Sequence, residues 1–375
     1  MFNKNIAKVE KLMVEDTQEL NIIGFATQGS NGDDENRLRT LLSKLPVSYY
    51  PFRKDKKYKN YSNIVRLLLS ERPSLIVMEG TGVFGGLALI TGSVITKTPY
   101  IVSSGDSVGP FIASKYPVIG PLFNLYEKML YKRATGFIGW TPYLTGRALT
   151  YGSNFGMTAA GWAPFHISNN DKYSARNDIR KKYGIPQTHI VVGIVGSLNW
   201  NKRIGYSYGL ELIQANNRVE RQDVTVMVVG DGTGRIELEK LNNKQNVIFT
   251  GKVPREEVPL YLSAMDAASL PQSVDQVGSF RYTTKVSEYL SVGLPIITGT
   301  IPMVYDLDSR WFCKIIGANP WSERYAEGLA QFITNTSQEE LKKISDEIPE
   351  EISYFNKNMQ IKSVTEFVND IMISI

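Results

Sequence analysis

The segment Thr283-Thr-Lys-Val-Ser-Glu-Tyr-Leu-Ser-Val-Gly-Leu-Pro-Ile-Ile297 is the most informative stretch of the 375-residue chain. It predicts a short helix, a turn at Gly293-Leu-Pro295 and a buried strand. The apolar residues of this helix can face a core, which leaves Lys285 and Glu288 near its start. A carboxylate there can accept hydrogen bonds from both hydroxyls of a ribose, and a lysine can meet phosphate. The alternative is an ordinary exposed Lys/Glu pair on one helix face.

On both sides of this segment, apolar runs of strand length alternate with helical patterns. Most of the runs are continuously apolar, which is typical of strands buried on both faces. Strands interleaved with helices predict parallel sheets, and two sets of six predict two doubly wound α/β domains. The strand candidates are residues 21–27, 47–52, 74–79, 100–104, 136–140 and 156–160 in the first half, and 189–196, 224–229, 246–250, 267–270, 295–298 and 312–316 in the second.

Turn-forming residues with little periodicity at 161–171 mark a boundary between the two domains. We therefore expect an N-terminal domain at 1–166, a C-terminal domain at 167–355 and a separate last helix at 356–375. Ser337 and Glu340 have the spacing of a capping box. The last helix has one apolar face, which needs a surface to cover; its members are Ile361, Val364, Phe367, Val368, Ile371 and Met372.

Composition excludes several classes of protein. Hydrophobic residues make up 42% and charged residues 21% of the chain, as in a packed domain and unlike a disordered chain. One cysteine and two histidines exclude an internal disulfide and argue against a Cys/His zinc site. Residues 1–170 hold 19 basic and 12 acidic residues, whereas the remainder has a net charge of −2, so an anionic partner should meet the first half. With no signal-peptide core and no membrane-length apolar stretch, a cytoplasmic location is expected.

Two further loops suggest phosphate binding. The strand at 189–196 ends at Gly196, and Lys202 and Arg203 follow near a predicted helix start, where cations and helix amide groups suit a diphosphate. A solvated basic turn is the alternative. The strand at 224–229 ends in Gly230-Asp-Gly-Thr-Gly-Arg235, a pattern of phosphate-binding glycine loops that also occurs in glycine turns without a ligand. A nicotinamide dinucleotide site would prefer an acidic residue after the next strand, where Thr250-Gly-Lys252 stands.

In this order, these segments resemble the donor domain of GT-B glycosyltransferases, especially the family 4 type. The resemblance is close over about residues 187–300 and looser in the first half. It implies the GT-B fold, with two Rossmann-like domains facing across a cleft and a C-terminal helix returning to the N-terminal domain. The matching positions are Gly196, Leu198, Lys202, Val229-Gly-Asp-Gly232, Val247-Ile-Phe-Thr-Gly251, Asp266, Lys285, Glu288, Tyr289, Gly293 and Pro295.

The resemblance implies transfer of a sugar from a nucleotide-sugar donor (UDP- or GDP-sugar) to an acceptor hydroxyl, with retention at the anomeric carbon and without a metal. Lys202 would stabilise the departing diphosphate as a catalytic residue, and Glu288 would hold the ribose. The residues assigned to donor binding are Gly196, Ser197, Lys202, Arg203, Gly230, Gly232, Lys252, Lys285 and Glu288, with Gly29 and Gly32 of the first half.

The chain departs from the family pattern at two positions. Ser197 stands where the family usually has arginine, and Arg203 or Arg281 would have to supply that charge. The first glutamate of the family motif is replaced by Phe280, but Asp275-Gln-Val-Gly278 resembles the surrounding sequence with an insertion before Glu288. Asp275 would then contact hydroxyls of the donor sugar, and the alternative is that this contact is lost.

The first half offers candidates for the acceptor side. Gly29 and Gly32 lie in a loop after the first strand and permit close approach of a ligand, and the acidic residues that follow favour a helix start. Glu79 ends the third predicted strand and Asp106 follows the fourth, and both could orient or deprotonate an acceptor hydroxyl. Capping and loop hydrogen bonds are the alternative role for both carboxylates.

The acceptor itself is open: a glycan, a lipid-linked molecule or a protein. The basic run 53–59, with Lys128, Lys132 and Arg133, is either a solvated surface or a contact with an anionic membrane, and nothing resembles a nucleic-acid module. Asp306-Leu-Asp308 lies after the last matching motif and is interpreted as a coincidental metal-like pattern. A GT-B nucleotide-sugar epimerase and a non-catalytic GT-B subunit remain as competing functions.

Overall fold

The structure, a computed structural model, describes residues 21–316 and 319–375. The chain divides into two compact units. Unit 1 comprises the described residues up to Ala159 together with Asn358–Ile375, and unit 2 comprises Ala160–Lys357.

Each unit is built around a parallel sheet of six strands. Unit 1 has the order β2-β1-β3-β4-β5-β6 and unit 2 the order β12-β11-β10-β7-β8-β9. The strands are β1 Ile22–Ala26, β2 Val47–Tyr49, β3 Leu75–Glu79, β4 Tyr100–Ser104, β5 Gly136–Gly139, β6 Phe155–Thr158, β7 Ile190–Val195, β8 Val224–Val229, β9 Val247–Gly251, β10 Ala267–Ser269, β11 Ile296–Gly299 and β12 Phe312–Ile315.

All twelve predicted strands are present, within one to three residues of their expected ends. The apolar pattern identified them because the central strands are fully buried on both faces, with β1, β3, β4, β7 and β8 buried along their whole length. The predicted α/β doubly wound fold is therefore confirmed for both units.

Helices connect the strands. They are α1 Asp33–Leu41, α2 Lys57–Glu71, α3 Val83–Thr96, α4 Val108–Lys115, α5 Gly120–Arg133, α6 Pro142–Thr150, α7 Asn169–Lys182, α8 Leu210–Asn216, α9 Arg235–Leu241, α10 Val258–Ser263, α11 Thr284–Ser291, α12 Met303–Asp306, α13 Glu323–Asn335, α14 Gln338–Glu347 and α15 Lys357–Ser374. Within the described residues, no helix is both long enough and apolar enough to cross a bilayer.

The two predicted helix features at the C-terminus are confirmed. Ser337 caps α14 in a capping box with Glu340. Helix α15 belongs to unit 1, and it buries Ile361, Val364, Val368 and Ile371. The C-terminal helix therefore returns to the N-terminal unit, as the fold resemblance implied.

The predicted helix start beside Lys202 and Arg203 is wrong. Residues 201–206 form a tight loop closed by backbone hydrogen bonds between Asn201 and Tyr206, and the next helix, α8, begins at Leu210. Because residues 201–206 form this loop, they are not available for a helix. The amide groups of a helix start therefore do not lie beside Lys202.

In each sheet the strand order reverses at one place. The first strand of unit 1, β1, lies between β2 and β3, and the first strand of unit 2, β7, lies between β8 and β10. Ligands of open α/β sheets bind beyond the carboxyl ends of the strands at such a switch point. The residues after β1 and β3 and those after β7 and β10 are therefore the ones to examine for function.

Candidate functional site

Two glycine loops close against each other at the carboxyl edge of the unit 2 sheet. Gly230 follows β8 with φ +138°, and a Cβ atom there would lie 1.9 Å from the carbonyl oxygen of Gly196. A Cβ on Gly232 would lie 2.7 Å from the carbonyl carbon of Leu198. Because no side chain fits, the loops pack backbone to backbone, with Leu198 N donating to the carbonyl of Asp231 at 3.0 Å.

Lys285 lies next to the contact between these two glycine loops. It stands in the first turn of α11, and a Cβ atom on Gly196 would be 2.9 Å from its Cε and 3.3 Å from its Nζ. The Nζ atom is 5.3 Å from the centre of the Tyr208 ring. Burial lowers the pKa of Lys285, the carboxylate of Glu288 opposes this, and the charge of Arg281 lowers the pKa further. Lys285 and Gly196, which the sequence analysis assigned separately to donor binding, are therefore neighbours in the fold.

Helix α11 is fixed by a tyrosine that is fully buried. The hydroxyl of Tyr289 accepts a hydrogen bond from Val195 N at 3.3 Å and donates to the carbonyl of Ser269 at 3.4 Å. These two residues end β7 and β10, the strands that flank the switch point. The position of α11, and with it that of Lys285 and Glu288, is therefore tied to both strands.

Glu288 lies in a half-buried position one turn after Lys285. Burial raises its pKa, whereas the positive charges of Lys285 and Arg255 lower it. Within the described residues, neither Lys285 nor Glu288 takes part in an ion pair shorter than 4 Å. We name Lys285, Glu288, Gly196 and Gly230 the lysine–glutamate site. Its nearby cations are Arg281, which the sequence had suggested, and Arg255, which it had not.

Other predicted donor-side residues lie on exposed loops. Ser197, Lys202 and Arg203 are exposed, and Lys252 follows β9, the outer strand next to β8. The hydroxyl of Ser197 accepts from Asn199 Nδ2 at 2.8 Å. Their assignment to donor binding stays a prediction.

Asp275 organises its own loop. Its Oδ1 atom accepts hydrogen bonds from Ser273 Oγ at 2.9 Å, Val277 N at 2.8 Å and Gly278 N at 2.9 Å. These contacts satisfy one carboxylate oxygen and shape the loop that precedes α11. The predicted contact of Asp275 with a donor sugar stays open.

The metal-like pattern at Asp306 and Asp308 has local partners. Asp306 accepts from the hydroxyl of Tyr282, and Asp308 forms an ion pair with Arg310 at 2.5 Å. Among residues 21–316 and 319–375, no three His, Cys, Asp or Glu side chains come together as a candidate metal site. A cavity of about 450 Å³ in unit 2 is lined by Arg176 and Asp266, which lie at the opposite, amino edge of the sheet.

In unit 1 the corresponding edge carries a buried arginine. Arg37 on α1 donates to Glu79 Oε2 at 2.9 Å, to Ser103 Oγ at 3.2 Å and to the carbonyl of Ala159 at 2.6 Å. Its guanidinium stacks 4.3 Å from the ring centre of Trp140. One side chain thus connects the ends of β3, β4 and β5 with the residue after β6.

Glu79 is engaged through both oxygens. Oε2 accepts from Arg37, and Oε1 accepts from the indole N–H of Trp140 at 3.2 Å. The residue is only 1% exposed. These contacts favour a structural role for Glu79, in which it holds Arg37 and Trp140 in place, over direct contact with an acceptor hydroxyl. We name Arg37, Glu79, Ser103 and Trp140 the Arg37 cluster.

Asp34 is the carboxylate that sequence reasoning missed. It lies one turn before Arg37 on α1, and burial and the charges of Glu79 and Asp106 raise its pKa to about 6, against the lowering effect of Arg37. Asp106 itself is exposed, and the loop at Gly29 is held by a hydrogen bond from Ser30 N to the carbonyl of Phe52 at 3.0 Å. The three-residue spacing of Asp34 and Arg37 was the available signal, since it places both on one helix face.

Comparison with known proteins finds a family model and a curated relative that resemble this chain. Residues 175–350 match the family model described as Glycosyl transferases group 1. Over 205 residues the chain is 29% identical to the 2-deoxystreptamine glucosyltransferase of Streptomyces kanamyceticus, and the match covers 51% of this chain and 52% of that protein. The chain thus matches about half the length of this curated relative.

Solved structures share the fold over nearly the whole chain. HepE of Anabaena in complex with UDP and glucose has a TM-score of 0.67 and 15% identity, covering 94% of this chain and 100% of that one. Sucrose-phosphate synthase of Thermosynechococcus elongatus has a TM-score of 0.62 and 13% identity, with 95% and 100% covered. Residues 175–350 therefore match the glycosyl transferases group 1 model, in a chain whose two units have the GT-B fold of these solved structures.

Proposed function

We propose that this protein is a glycosyltransferase that moves a sugar from a nucleotide-sugar donor to an acceptor hydroxyl. The observation that carries the proposal is the lysine–glutamate site: a half-buried cation and carboxylate beside two closed glycine loops at a sheet switch point. At the donor, a glycosyltransferase has to stabilise the charge on the leaving diphosphate and to recognise the nucleoside.

The diphosphate is assigned to Lys285, Arg281 and the start of α11. Burial has already removed much of the water around Lys285, so an anion beside it is favoured more than at an exposed lysine. Thr283, the residue before α11, has a hydroxyl that is buried without a hydrogen-bond partner in the described part of the chain. A phosphate oxygen at this helix start could accept from that hydroxyl and from the helix amide groups.

The nucleoside is assigned to Glu288. Burial raises its pKa, and the two vicinal hydroxyls of a ribose can donate hydrogen bonds to its two carboxylate oxygens. The donor is proposed to be a UDP- or GDP-sugar, and the HepE complex with UDP and glucose is a precedent for UDP in this fold. We further propose family 4-like chemistry: hexosyl transfer with retention, without a metal because the side chains and helix start neutralise the diphosphate.

The first test is a thermal-shift panel with UDP, GDP, ADP and NAD, followed by turnover of the sugar nucleotide that binds. We expect one nucleoside diphosphate to stabilise the protein, and Glu288→Ala to weaken its affinity about tenfold or more, as for loss of hydrogen bonds to a charged group. Glu327→Gln, which removes an exposed carboxylate elsewhere in unit 2, is the matched control. Equal affinity in Glu288→Ala would remove the ribose assignment, and no response to any nucleotide would favour a non-catalytic subunit.

The same assay separates transfer from epimerisation. A transferase needs an acceptor hydroxyl to consume its donor at full rate, whereas an epimerase consumes it alone and releases an altered sugar or free nucleotide. Donor loss that is as fast without acceptor as with it, accompanied by a changed sugar, would contradict the transferase proposal.

A further inference from the structure

One surface of unit 1 is apolar although it faces solvent. The turn between α4 and α5 and the outer face of α5 expose Tyr116, Val118, Ile119, Leu122, Leu125 and Met129. Val118 is 94% exposed, Leu122 65% and Leu125 54%. We name these six residues the α4–α5 surface. Single exposed apolar residues are normal on soluble proteins, but six within fourteen positions form a patch that indicates a partner.

Helix α5 is apolar on both sides. Its inner face buries Tyr126, Leu130 and Tyr131 against the rest of unit 1. Leu122, Leu125 and Met129 recur at intervals of three and four residues on the opposite face. A surface helix normally places polar residues there, so the outer face of α5 is not explained by the fold of unit 1.

The inner contacts prevent the helix from turning. The hydroxyl of Tyr126 donates to the carbonyls of Thr81 and Gly82, both at 3.2 Å. Glu127 is fully buried and pairs with Arg147 at 2.7 Å. Because these contacts are specific and buried, Leu122 and Leu125 cannot move into the core without breaking them.

The charges around the surface have one sign. The segment 108–133 contains four basic residues, and all four are exposed: Lys115, Lys128, Lys132 and Arg133. The only acidic residue in this segment is Glu127, whose charge is buried and matched by Arg147. Apolar side chains flanked by exposed cations are complementary to a lipid surface with anionic headgroups.

The α4–α5 surface also lies near the carboxyl edge of the unit 1 sheet. Tyr126 contacts Thr81 and Gly82, which lie two and three residues after Glu79, the last residue of β3 and a member of the Arg37 cluster. A lipid surface beside α5 would therefore be close to the carboxyl edge of this sheet.

We propose that the α4–α5 surface binds an anionic lipid membrane, with α5 lying in the plane of the interface. Leu122, Leu125 and Val118 enter the boundary between headgroups and acyl chains, and Lys128 and Lys132 contact anionic headgroups. Binding of this kind needs no donor nucleotide, so it can succeed or fail independently of the sugar-transfer proposal.

The test is co-sedimentation of the full chain with vesicles of phosphatidylcholine containing 30% phosphatidylglycerol, compared with phosphatidylcholine alone. We expect binding to the anionic vesicles that weakens as salt is added, since the basic residues are screened. Leu122→Ala/Leu125→Ala should lower the partition coefficient about tenfold or more, because two apolar side chains leave the interface. Lys128→Gln/Lys132→Gln should lower it by about fivefold for each lysine.

Matched controls lie in unit 2. Ile236→Ala/Leu241→Ala removes two exposed apolar side chains, and Lys342→Gln/Lys343→Gln removes the same charge as the lysine variant. Both should bind vesicles like the parent, and circular dichroism with thermal unfolding checks that all four variants are folded. Absence of vesicle binding, or equal losses in the control variants, would overturn the proposal. So would self-association in light scattering that Leu122→Ala/Leu125→Ala abolishes without any vesicle binding, because the surface would then join two copies of the chain.

Discussion

Near the two sheet switch points, the buried carboxyl groups of Glu79 and Glu211 differ in the charge of their hydrogen-bond partners. In unit 1, Glu79 is neutralised by Arg37 and by the indole N–H of Trp140. In unit 2, the buried carboxyl of Glu211 accepts from neutral donors, namely Tyr206 Oη, Ser269 Oγ and Gly209 N, at 2.9–3.2 Å. Lys285 is likewise half-buried without an ion pair in the described residues. The comparison indicates that the buried carboxylate of Glu79 in unit 1 is neutralised by a cation of the same unit, whereas unit 2 presents a cation, Lys285, that a bound anion would neutralise.

The largest expected effect follows from breaking the Arg37 cluster. Arg37→Met should leave Glu79 buried without its cation and lower the free energy of unfolding by about 3–5 kcal/mol, measured by urea unfolding. Glu79→Gln in the Arg37→Met background should recover much of this loss, because the uncompensated charge disappears. A loss below about 1 kcal/mol in Arg37→Met would show that the ion pair does not hold the edge of unit 1 together.

Replacement of Lys285 should reduce catalysis and leave stability intact, whereas replacement of Arg37 should reduce stability. Lys285→Ala removes a partly desolvated cation that forms no ion pair with residues 21–316 or 319–375, so stability should be kept or slightly increased while kcat falls about 10²–10³-fold. Lys202→Ala is also predicted to lower turnover, and Lys240→Ala, at an exposed residue paired with Glu237, is the control. Unchanged kcat in Lys285→Ala, or a large loss of stability, would contradict the assignment of this lysine to the leaving diphosphate.

The pH dependence of stability tests whether the buried carboxyl of Glu211, which lacks the cation that Glu79 has in Arg37, is protonated in the folded protein. Burial raises its pKa from 4.5 to about 7, so the folded protein holds a proton that the unfolded chain has lost. Stability from this group therefore falls as the pH rises from about 4.5 to about 7, by about 3 kcal/mol in total. Glu211→Gln should lack this decline, so its unfolding free energy relative to the parent should rise across that range. A parallel pH dependence in both proteins would show that Glu211 does not titrate there.

The strands could be predicted from sequence because the information is local. A strand buried on both faces, such as β8, is a continuous apolar run, and the turn at Gly293-Leu-Pro295 marks the start of β11. Lys285 and Glu288 were found because their motif is contiguous with that turn. The function of the loops was harder to predict, since nothing local distinguishes Lys202 on an exposed loop from Lys285 beside Gly196.

The Arg37 cluster could not be predicted, because its members are far apart in sequence. Arg37 lies on the helix after β1, Glu79 and Ser103 lie at the ends of β3 and β4, and Trp140 follows β5. These residues meet only once the sheet order is known. The helix predicted beside Lys202 failed for a related reason. The bridge between Asn201 and Tyr206 competes with helix formation, and Ile204 and Tyr206 pack against the core of unit 2, which the sequence pattern does not show.

The smallest expected effect concerns Asp34, the carboxylate one turn before Arg37 on α1. Its pKa is raised to about 6, first by burial and then by Glu79, so it is ionised above this pH and neutral below it. If Asp34 orients the acceptor hydroxyl as a carboxylate, kcat/KM for the acceptor should fall as the pH drops through about 6. Asp34→Asn should remove that acidic limb and lower kcat/KM about tenfold at neutral pH, the effect of losing one charged hydrogen bond.

The control for Asp34 separates its charge from that of its neighbours. Asp106→Asn removes a negative charge that raises the pKa of Asp34, so the acidic limb should move to lower pH without a loss of folding. Donor binding, measured as the UDP- or GDP-induced thermal shift, should be the same in the parent and both variants, because neither residue belongs to the lysine–glutamate site. An acidic limb that stays in place in both variants would assign it to another group, and unit 1 would then contribute a charge-satisfied scaffold without a titrating carboxylate of its own.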